Sequence, residues 1–240
     1  MEGKKMLVFS AHAADFVWRA GGTIAKYINH GADVTIVVMS YGVRGESNDL
    51  WKGANQTADN VKAIRHEESF NASQKLGVKN IEFWDLEDYP INTGRDVLDR
   101  ITQKIRAVQP DIILTHDAKD VINPDHDAVR QLVFQASIMS NSAGVQIPGL
   151  PVTKQMMIFG FEPHQTELSD FKPGTFIDIT ESYDAKIAAM NCFKAQNHLI
   201  EYYTQRAFLR GNHARRLSGV KDYKYAECFS NFFPRVAPEF

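Results

Sequence analysis

The sequence predicts an α/β protein with a Rossmann-like, mostly parallel sheet flanked by helices and an elaborated C-terminal third. Short apolar runs alternate with longer amphipathic stretches through the first half of the chain. This alternation is typical of βα units that feed a parallel sheet. Three such crossovers follow one another, and glycine or proline marks the boundaries between them, which favours a Rossmann-like sheet.

The first half supplies four strands and four helices. The predicted strands are "KMLVFS", "DVTIVVMS", "NIEFWDL" and "DIILTH". The predicted helices are Asp15–His30, Thr57–Leu76, "RDVLDRITQKIRAVQ" and one that begins near Pro124. Gly31 and Gly77 follow the first two helices directly, as expected of residues that end a helix.

The C-terminal third is less regular. "QMMIFGF" and "TFIDIT" are predicted strands, "ESYDAKIAAMNCF" is a predicted helix behind a Thr180 cap, and Glu201–Arg216 is a predicted basic helix. Neither an internal repeat nor a long linker divides the chain, so we expect one domain over residues 1–240.

Composition excludes several classes of function. The chain has 240 residues, 44% hydrophobic, with 27 Lys and Arg against 29 Asp and Glu, so its charge gives no case for a nucleic-acid partner. The two cysteines lack metal-ligand spacing and the density of a disulfide framework, which fits a reducing compartment. The N-terminus does not resemble a signal peptide and no window approaches the ~20 apolar residues of a membrane span. We therefore expect a cytoplasmic protein that does not contact a membrane.

Polar residues cluster where the predicted strands end. Ligands of open α/β sheets bind beyond the carboxyl ends of the strands, so these positions predict the site. They are His12 and Asp15 after the first strand, Arg44 and Glu46 after the second, Asp85, Asp88 and Tyr89 after the third, and His116, Asp120, Asn123, Asp125 and His126 after the fourth.

His12, Asp15 and His126 are the predicted metal ligands. Two imidazoles and one carboxylate from different loops are typical of a catalytic zinc site, which keeps an open position. The same donors suit other divalent ions. The alternative at this point is that each histidine is an ordinary polar residue at the end of a strand.

Two segments resemble the PIG-L / LmbE-like superfamily of zinc-dependent N-deacetylases. They are "VFSAHAADFVWRAGGTIAKY" and "THDAKDVINPDHDAV", which correspond to the family signatures AHPDDE and HPDH. The resemblance implies that His12, Asp15 and His126 hold zinc. The chain departs from the family at Ala14, where the family carries its general base, and at Asn123, where it carries a histidine. Alanine cannot transfer a proton, so the usual deacetylase mechanism is not expected here.

One branch of the superfamily is more similar, namely the 4-oxalomesaconate hydratases of gallate degradation. The segments that resemble this branch are "SAHAADFVWRAGG", "GVRGES", "LEDYP", "FEPHQTE", "TFIDIT" and "EYYTQRAFLRG". The resemblance implies a zinc-dependent hydro-lyase that adds water across the C=C bond of 4-oxalomesaconate, or a close oxo-tricarboxylate, to give 4-carboxy-4-hydroxy-2-oxoadipate. The alternatives are an N-deacetylase of an amino sugar or sugar conjugate, with Glu46 or Asp125 as a displaced base, and a non-catalytic metal- or sugar-binding relative.

A hydratase needs a base for water, an acid for carbon and donors for substrate carboxylates. Glu46 is the predicted base and His164 the predicted general acid. Arg44 is the leading substrate-binding residue, with Tyr89, His116, Lys119 and Asn123 beside it; His116 could instead fix a metal ligand. Reserve cations are Arg19, Arg206, Arg210 and Arg215, the last three on a basic helix that could reach a neighbouring subunit, and the resemblance implies a homo-oligomer.

Overall fold

The computed structural model of the protein describes residues 1–117, 119–234 and 236. The strands, numbered in chain order, are β1 (Lys5–Ser10), β2 (Asp33–Ser40), β3 (Asn80–Leu86), β4 (Ile112–His116), β5 (Met157–Phe161), β6 (Thr175–Asp178) and β7 (Ala226–Asn231). The α-helices are α1 (Asp15–Asn29), α2 (Asn48–Trp51), α3 (Ala58–Lys75), α4 (Arg95–Val108), α5 (Pro124–Asn141), α6 (Tyr183–Met190) and α7 (Leu199–Ser218). Three short 3₁₀ turns cover Thr166–Leu168, Thr180–Ser182 and Lys194–Gln196.

All seven strands join one sheet in the order β3-β2-β1-β4-β5-β7-β6. Strands β1 to β5 pair in parallel, whereas β7 pairs antiparallel with both β5 and β6. The predicted α/β class with a mostly parallel sheet is therefore confirmed. The chain winds outward from β1 in one direction and from β4 in the other, so the point where the strand order reverses lies between these two strands. In such sheets this point opens the crevice in which ligands bind.

The central strands are buried on both faces. Successive side chains of a strand point to opposite faces, and β1 accordingly sends Met6 and Val8 into one apolar layer and Leu7 and Phe9 into the other. The first layer also contains side chains of α1, α3 and α6, and the second contains side chains of α4 and α5. This double covering explains why β1, β2 and β4 are continuous apolar runs in the sequence.

The C-terminal third differs from the predicted elements. The strand β7 was not predicted, because its sequence "AECFSN" carries Glu227 and Ser230 at buried positions. The Glu227 carboxylate is nevertheless satisfied, since it accepts hydrogen bonds from the backbone N–H groups of Gly22 and Thr23 in α1. The predicted Thr180 cap is wrong: α6 begins at Tyr183, and the Thr180 hydroxyl donates to Asp178 instead.

The shared sheet supports the single domain expected over residues 1–240, which stays a prediction. In the described part of the chain, none of the helices has the length and apolar character that crossing a membrane requires. Cys192 and Cys228 are free thiols.

Candidate metal centre

The candidate site lies at the carboxyl ends of β1 and β4, where the strand order reverses. Loops after β1, β2, β3 and β4 meet there around a cavity of about 260 Å³. Six of the predicted site residues line this cavity, and they are Asp15, Glu46, Tyr89, Asn123, His126 and His164. His12 lies directly behind them and is fully buried.

Four side chains converge at the base of the cavity. They are His12, Asp15, Glu46 and His126, whose potential ligand atoms all lie within 4.8 Å of one another. His12 Nδ1 is 3.3 Å from His126 Nε2 and 3.3 Å from Glu46 Oε1. His126 Nε2 is 3.3 Å from Asp15 Oδ1 and 3.8 Å from Glu46 Oε1. The structure thus brings the three predicted metal ligands together with the predicted base.

These distances fit a single metal ion. A tetrahedral zinc ion with bonds of about 2.1 Å separates its ligand atoms by about 3.4 Å, close to the spacing of this cluster. Glu46 has the most exposed side chain of the four, 14% against 0% for His12, and so lies on the cavity side of the cluster. The geometry therefore suits an ion held by two imidazoles and Asp15, with Glu46 facing the position that a catalytic site leaves open.

Two further carboxylates determine which ring nitrogens face the cluster. Asp125 Oδ2 lies 3.2 Å from His12 Nε2, and Asp120 Oδ2 lies 2.8 Å from His126 Nδ1. A carboxylate accepts the ring proton, so each histidine turns its unprotonated nitrogen towards the cluster. Four atoms that can all act as acceptors then meet, which is unfavourable unless a proton or a metal cation lies among them. Carboxylates that orient histidine ligands in this way are typical of metal sites.

The charges at the cluster also favour a bound cation. Burial lowers the pKa of His12, but the Glu46, Asp125 and Asp15 carboxylates outweigh burial and hold that pKa well above its usual value. Burial raises the pKa of Asp15, but His126 and His116 outweigh it and keep that pKa well below its usual value. The site therefore stabilises positive charge among its carboxylates, as a divalent cation would provide.

The loop after β2 fixes the position of Glu46. The Asp88 carboxylate accepts hydrogen bonds from the backbone N–H groups of Arg44 and Gly45, and the Ser47 hydroxyl donates to the Gly42 carbonyl. A Cβ at Gly45 would lie 1.9 Å from the ring of Tyr89, so only glycine allows this approach. Asn123 Nδ2 then donates to Glu46 Oε1 over 2.9 Å. Asn123 thus contacts the predicted base directly.

Arg19, which the sequence offered only as a reserve cation, is the buried cation of the cavity. Arg19 lies one helical turn after Asp15, with its Nε 3.6 Å from Asp15 Oδ1. Its Nη1 donates to the Glu162 carbonyl at 3.1 Å, and its Nη2 donates to Asp120 Oδ2 at 3.3 Å. Burial lowers the pKa of Arg19, but Tyr203, Asp15 and Asp120 raise it above its usual value, so the guanidinium stays charged.

Arg44 and Lys119, two predicted substrate-binding residues, are not brought to the cavity. The Arg44 side chain is half-exposed and forms an ion pair with Glu87 at 3.2 Å. Its Nη1 also donates to the Asp88 carbonyl at 3.4 Å. Lys119 is exposed and pairs with Asp170 at 3.0 Å. Neither side chain lines the cavity.

His116 lies behind the cluster and does not line the cavity. Its Nε2 accepts a hydrogen bond from the Ala11 N–H at 3.0 Å and is 3.4 Å from Asp15 Oδ2. Its ring stacks on that of His126 with centroids 4.0 Å apart. Burial and the neighbouring His126 lower the pKa of His116 to about 3. The position fits the alternative in which His116 supports metal ligands and does not contact substrate.

His164 and Tyr89 contribute to the walls of the cavity. His164 Nδ1 is 3.4 Å from the Tyr203 hydroxyl, and its ring stacks on Tyr202. Burial and the cations Arg19 and Arg206 lower the pKa of His164 to about 4. The imidazole is therefore neutral near pH 7. Burial and Glu46 raise the pKa of Tyr89 to about 12, which keeps its hydroxyl protonated.

The other reserve arginines do not reach the cavity. Arg206 donates to the carbonyls of Pro163 and His164 and so fixes the loop that carries His164. Arg210 is paired with the buried Glu162, and Arg215 donates to the Tyr223 carbonyl. These three arginines lie outside the lining of the cavity.

Sequence reasoning placed Asp120 and Asp125 at this edge of the sheet but gave neither the role of orienting a histidine. For Asp120 a signal was available, because it lies six residues before His126, whereas Asp125 orients His12 from 113 residues away and had none. That signal could not distinguish an orienting carboxylate from a ligand, since that distinction depends on which atoms meet in the fold.

The fold and this cluster define an α/β protein with a candidate metal centre at the switch point of a mainly parallel sheet. The family model of PIG-L, described as GlcNAc-PI de-N-acetylase, matches residues 7–137. The chain belongs to the PIG-L family.

Relatives of two kinds were found. A 4-oxalmesaconate hydratase of Pseudomonas putida is 42% identical over 97% of this chain and 91% of its own length. The crystal structure of GalB, the 4-carboxy-2-hydroxymuconate hydratase of Pseudomonas putida, superposes with a TM-score of 0.94 at 41% identity and covers 99% of each chain. A diacetylchitobiose deacetylase of Thermococcus kodakarensis is 28% identical over 80% of this chain and 70% of its own length.

Proposed function

We propose that the protein is a metal-dependent hydratase that adds water across the C=C bond of 4-oxalomesaconate, or a close oxo-tricarboxylate, to give 4-carboxy-4-hydroxy-2-oxoadipate. The observation that carries this proposal is the 42% identity over 97% of the chain with a 4-oxalmesaconate hydratase. The site geometry supports it independently, because a carboxylate, a neutral imidazole and a buried guanidinium surround one candidate metal position.

We propose zinc as the ion, with another divalent metal as an alternative, held by His12, Asp15 and His126. When bound, the ion would polarise a carbonyl or enol oxygen of the substrate. The rest of the reaction is assigned to the chain's own side chains. Hydration forms one C–O bond and one C–H bond from a single water molecule, so a proton must leave the water oxygen and a proton must reach the second carbon.

Glu46 is the proposed base. Burial raises its pKa, but His12 outweighs burial and the net pKa is lowered, which keeps the carboxylate ionised and able to accept a proton from water. The Asn123 amide holds Glu46 Oε1 in place over 2.9 Å. The proton that Glu46 takes from water supplies the one that the second alkene carbon requires. The hydration therefore needs no external proton donor.

For His164 we propose a different role from the general acid that the sequence suggested. A ring with a pKa of about 4 carries no extra proton near pH 7 and is a poor acid. A neutral imidazole beside Tyr203 can bind a substrate oxygen through its N–H group. We assign Arg19 to a substrate carboxylate, because it is the only arginine or lysine among the described residues that line the cavity.

The deacetylase alternative lacks a base at its usual place. Ala14 occupies the position of the first aspartate of the family signature, and it is completely buried at the start of α1. The carboxylate that lies beside the three proposed ligands is Glu46, and it comes from the loop after β2.

The deciding experiment is an ultraviolet assay of the zinc-loaded protein with 4-oxalomesaconate. We expect loss of the conjugated chromophore, its abolition by a chelator and its recovery on adding zinc. In parallel, acetate release from N-acetylated sugars is measured. Unchanged absorbance together with acetate release would reject the hydratase and favour the deacetylase.

We also propose a homo-oligomeric, cytoplasmic protein. Exposed apolar side chains of α7, namely Phe208, Leu209 and Leu217, support self-association, and the two free thiols support a reducing compartment. Light scattering after size-exclusion chromatography tests the oligomer.

A further inference from the structure

One wall of the cavity comes from the segment between α6 and α7, where no role was predicted. Ala195, Gln196 and His198 line the cavity from this segment, and Leu199 lines it from the start of α7. Gln196 is only 7% exposed. A buried amide normally has partners for both its oxygen and its nitrogen.

Arg65 fixes the orientation of this amide. Arg65 Nη2 donates to Gln196 Oε1 at 2.8 Å. An arginine has only donors, so the atom that faces it must be the amide oxygen, and the amide nitrogen must point elsewhere. Gln196 Nε2 donates to no residue that the structure describes, although Gln196 lines the cavity.

The Arg65 side chain is completely buried and held from several sides. Its Nη1 pairs with Glu68 at 2.9 Å, and its Nε donates to the Tyr41 carbonyl at the end of β2. Glu68 also accepts a hydrogen bond from the Ala195 N–H at 3.0 Å. The ion pair in α3 thus fixes both the backbone and the side chain of the wall segment.

The charges of the cavity make such a neutral donor useful. The ionisable carboxyl side chains that line it are Asp15, Glu46, Asp49 and Asp120, whereas Arg19 is the single arginine or lysine in the described lining. A polycarboxylate must therefore be bound by hydrogen-bond donors in addition to Arg19 and the metal. An amide whose oxygen is already occupied presents only its two N–H groups.

We propose that the Gln196 side-chain amide donates a hydrogen bond to a carboxylate of the substrate and that Arg65 is the positioning residue that turns the amide nitrogen into the cavity. The inference rests on the proposed function, since it assigns a carboxylate-binding group of that same site. Gln196 thereby determines specificity for a substrate with an additional carboxylate.

The test is Gln196→Glu, a variant that separates the two contacts of the side chain. A carboxylate keeps an acceptor for Arg65 but replaces the N–H donor with a negatively charged oxygen. We expect KM for 4-oxalomesaconate to rise about 10- to 100-fold while kcat changes less than about threefold, because a hydrogen bond to a charged group is lost and a negative charge faces the substrate carboxylate. The midpoint of thermal unfolding should stay unchanged. Gln131→Glu, at an exposed position of α5, is the matched control and should leave KM unchanged.

A second variant tests whether Arg65 positions the Gln196 amide. Arg65→Lys keeps the charge but loses the planar fork, so KM should rise in the wild-type background and rise little further in the Gln196→Glu background. An equal rise in both backgrounds would assign Arg65 a role independent of Gln196. An unchanged KM in Gln196→Glu overturns the proposal itself.

A binding measurement separates this inference from the proposed function. Propane-1,2,3-tricarboxylate is titrated calorimetrically into the zinc-loaded wild type and the Gln196→Glu variant. Weaker binding by the variant supports the inference even if the wild type does not hydrate 4-oxalomesaconate, in which case only the proposed reaction fails. Equal affinity, or binding to neither protein, rejects the inference.

Discussion

His12 and His126 face each other through ring nitrogens that lie 3.3 Å apart, and each ring has its opposite nitrogen beside a buried carboxylate. Two unprotonated nitrogens at this distance repel each other unless a cation lies between them. Asp125 and Asp120 enforce this arrangement, although neither belongs to the four-residue cluster. The metal affinity of the site should therefore depend on residues that do not touch the ion.

Asp120→Asn should weaken zinc binding. The variant keeps the size of the side chain but removes the charge that holds the Nδ1 proton of His126, and such losses typically cost 10- to 100-fold in metal affinity. Competition with a chromophoric chelator measures the affinity. Asp170→Asn, at an exposed carboxylate that pairs with Lys119, is the control and should bind zinc like the wild type. Equal affinity in both variants would mean that Asp120 does not support the ligand.

Glu46→Gln should abolish turnover while the zinc content stays near that of the wild type. The amide cannot accept a proton from water, and loss of a general base typically lowers the rate by about 10² to 10⁴. Metal analysis and the ultraviolet assay on one preparation give both values. Glu87→Gln, on the neighbouring loop and exposed, should remain fully active. Loss of zinc together with activity would identify Glu46 as a required ligand.

Arg19→Lys should raise KM by about tenfold, whereas Arg44→Lys should change KM less than twofold. Lysine keeps the charge but lacks the planar fork of donors that a carboxylate binds. Arg19 lines the cavity and Arg44 does not, so the same substitution tests the two candidate cations against each other. Steady-state kinetics with 4-oxalomesaconate provide the comparison. A larger effect at Arg44 would restore the residue that the sequence favoured.

The position of the site could be predicted because it follows from topology. Parallel strands place their carboxyl ends at one edge whatever the details of packing, so His12, Asp15 and His126 had to lie near one another once the strands were recognised. Strands β1, β2 and β4 were visible as buried apolar runs. The same reasoning placed Glu46 on an adjacent loop.

The choice between Arg19 and Arg44 could not be made in the same way. Arg44 is only two residues from Glu46, but its side chain pairs with Glu87 and the Asp88 carbonyl outside the cavity. Arg19 lies on the same face of α1 as Asp15, four residues later, which is a helical spacing that could have indicated it. The role of Gln196 depends on a contact with Arg65, 131 residues away in the chain, and no local pattern encodes it.

The pH dependence should reveal His164 as a histidine that is neutral in the folded protein. Burial, Arg19 and Arg206 lower its pKa to about 4, against about 6.5 in the unfolded chain. Between these values the unfolded state binds more protons, so this histidine contributes stability above about pH 6.5 that is lost as the pH falls towards 4. We expect kcat/KM to fall as the pH drops through about 4, because the His164 ring becomes protonated there. An NMR titration of the His164 ring C–H protons should give the same midpoint. His164→Asn should weaken the fall in the free energy of unfolding between pH 6.5 and 4, with His198→Asn as the exposed control. A midpoint near 6.5 in the NMR titration would return His164 to the role of general acid.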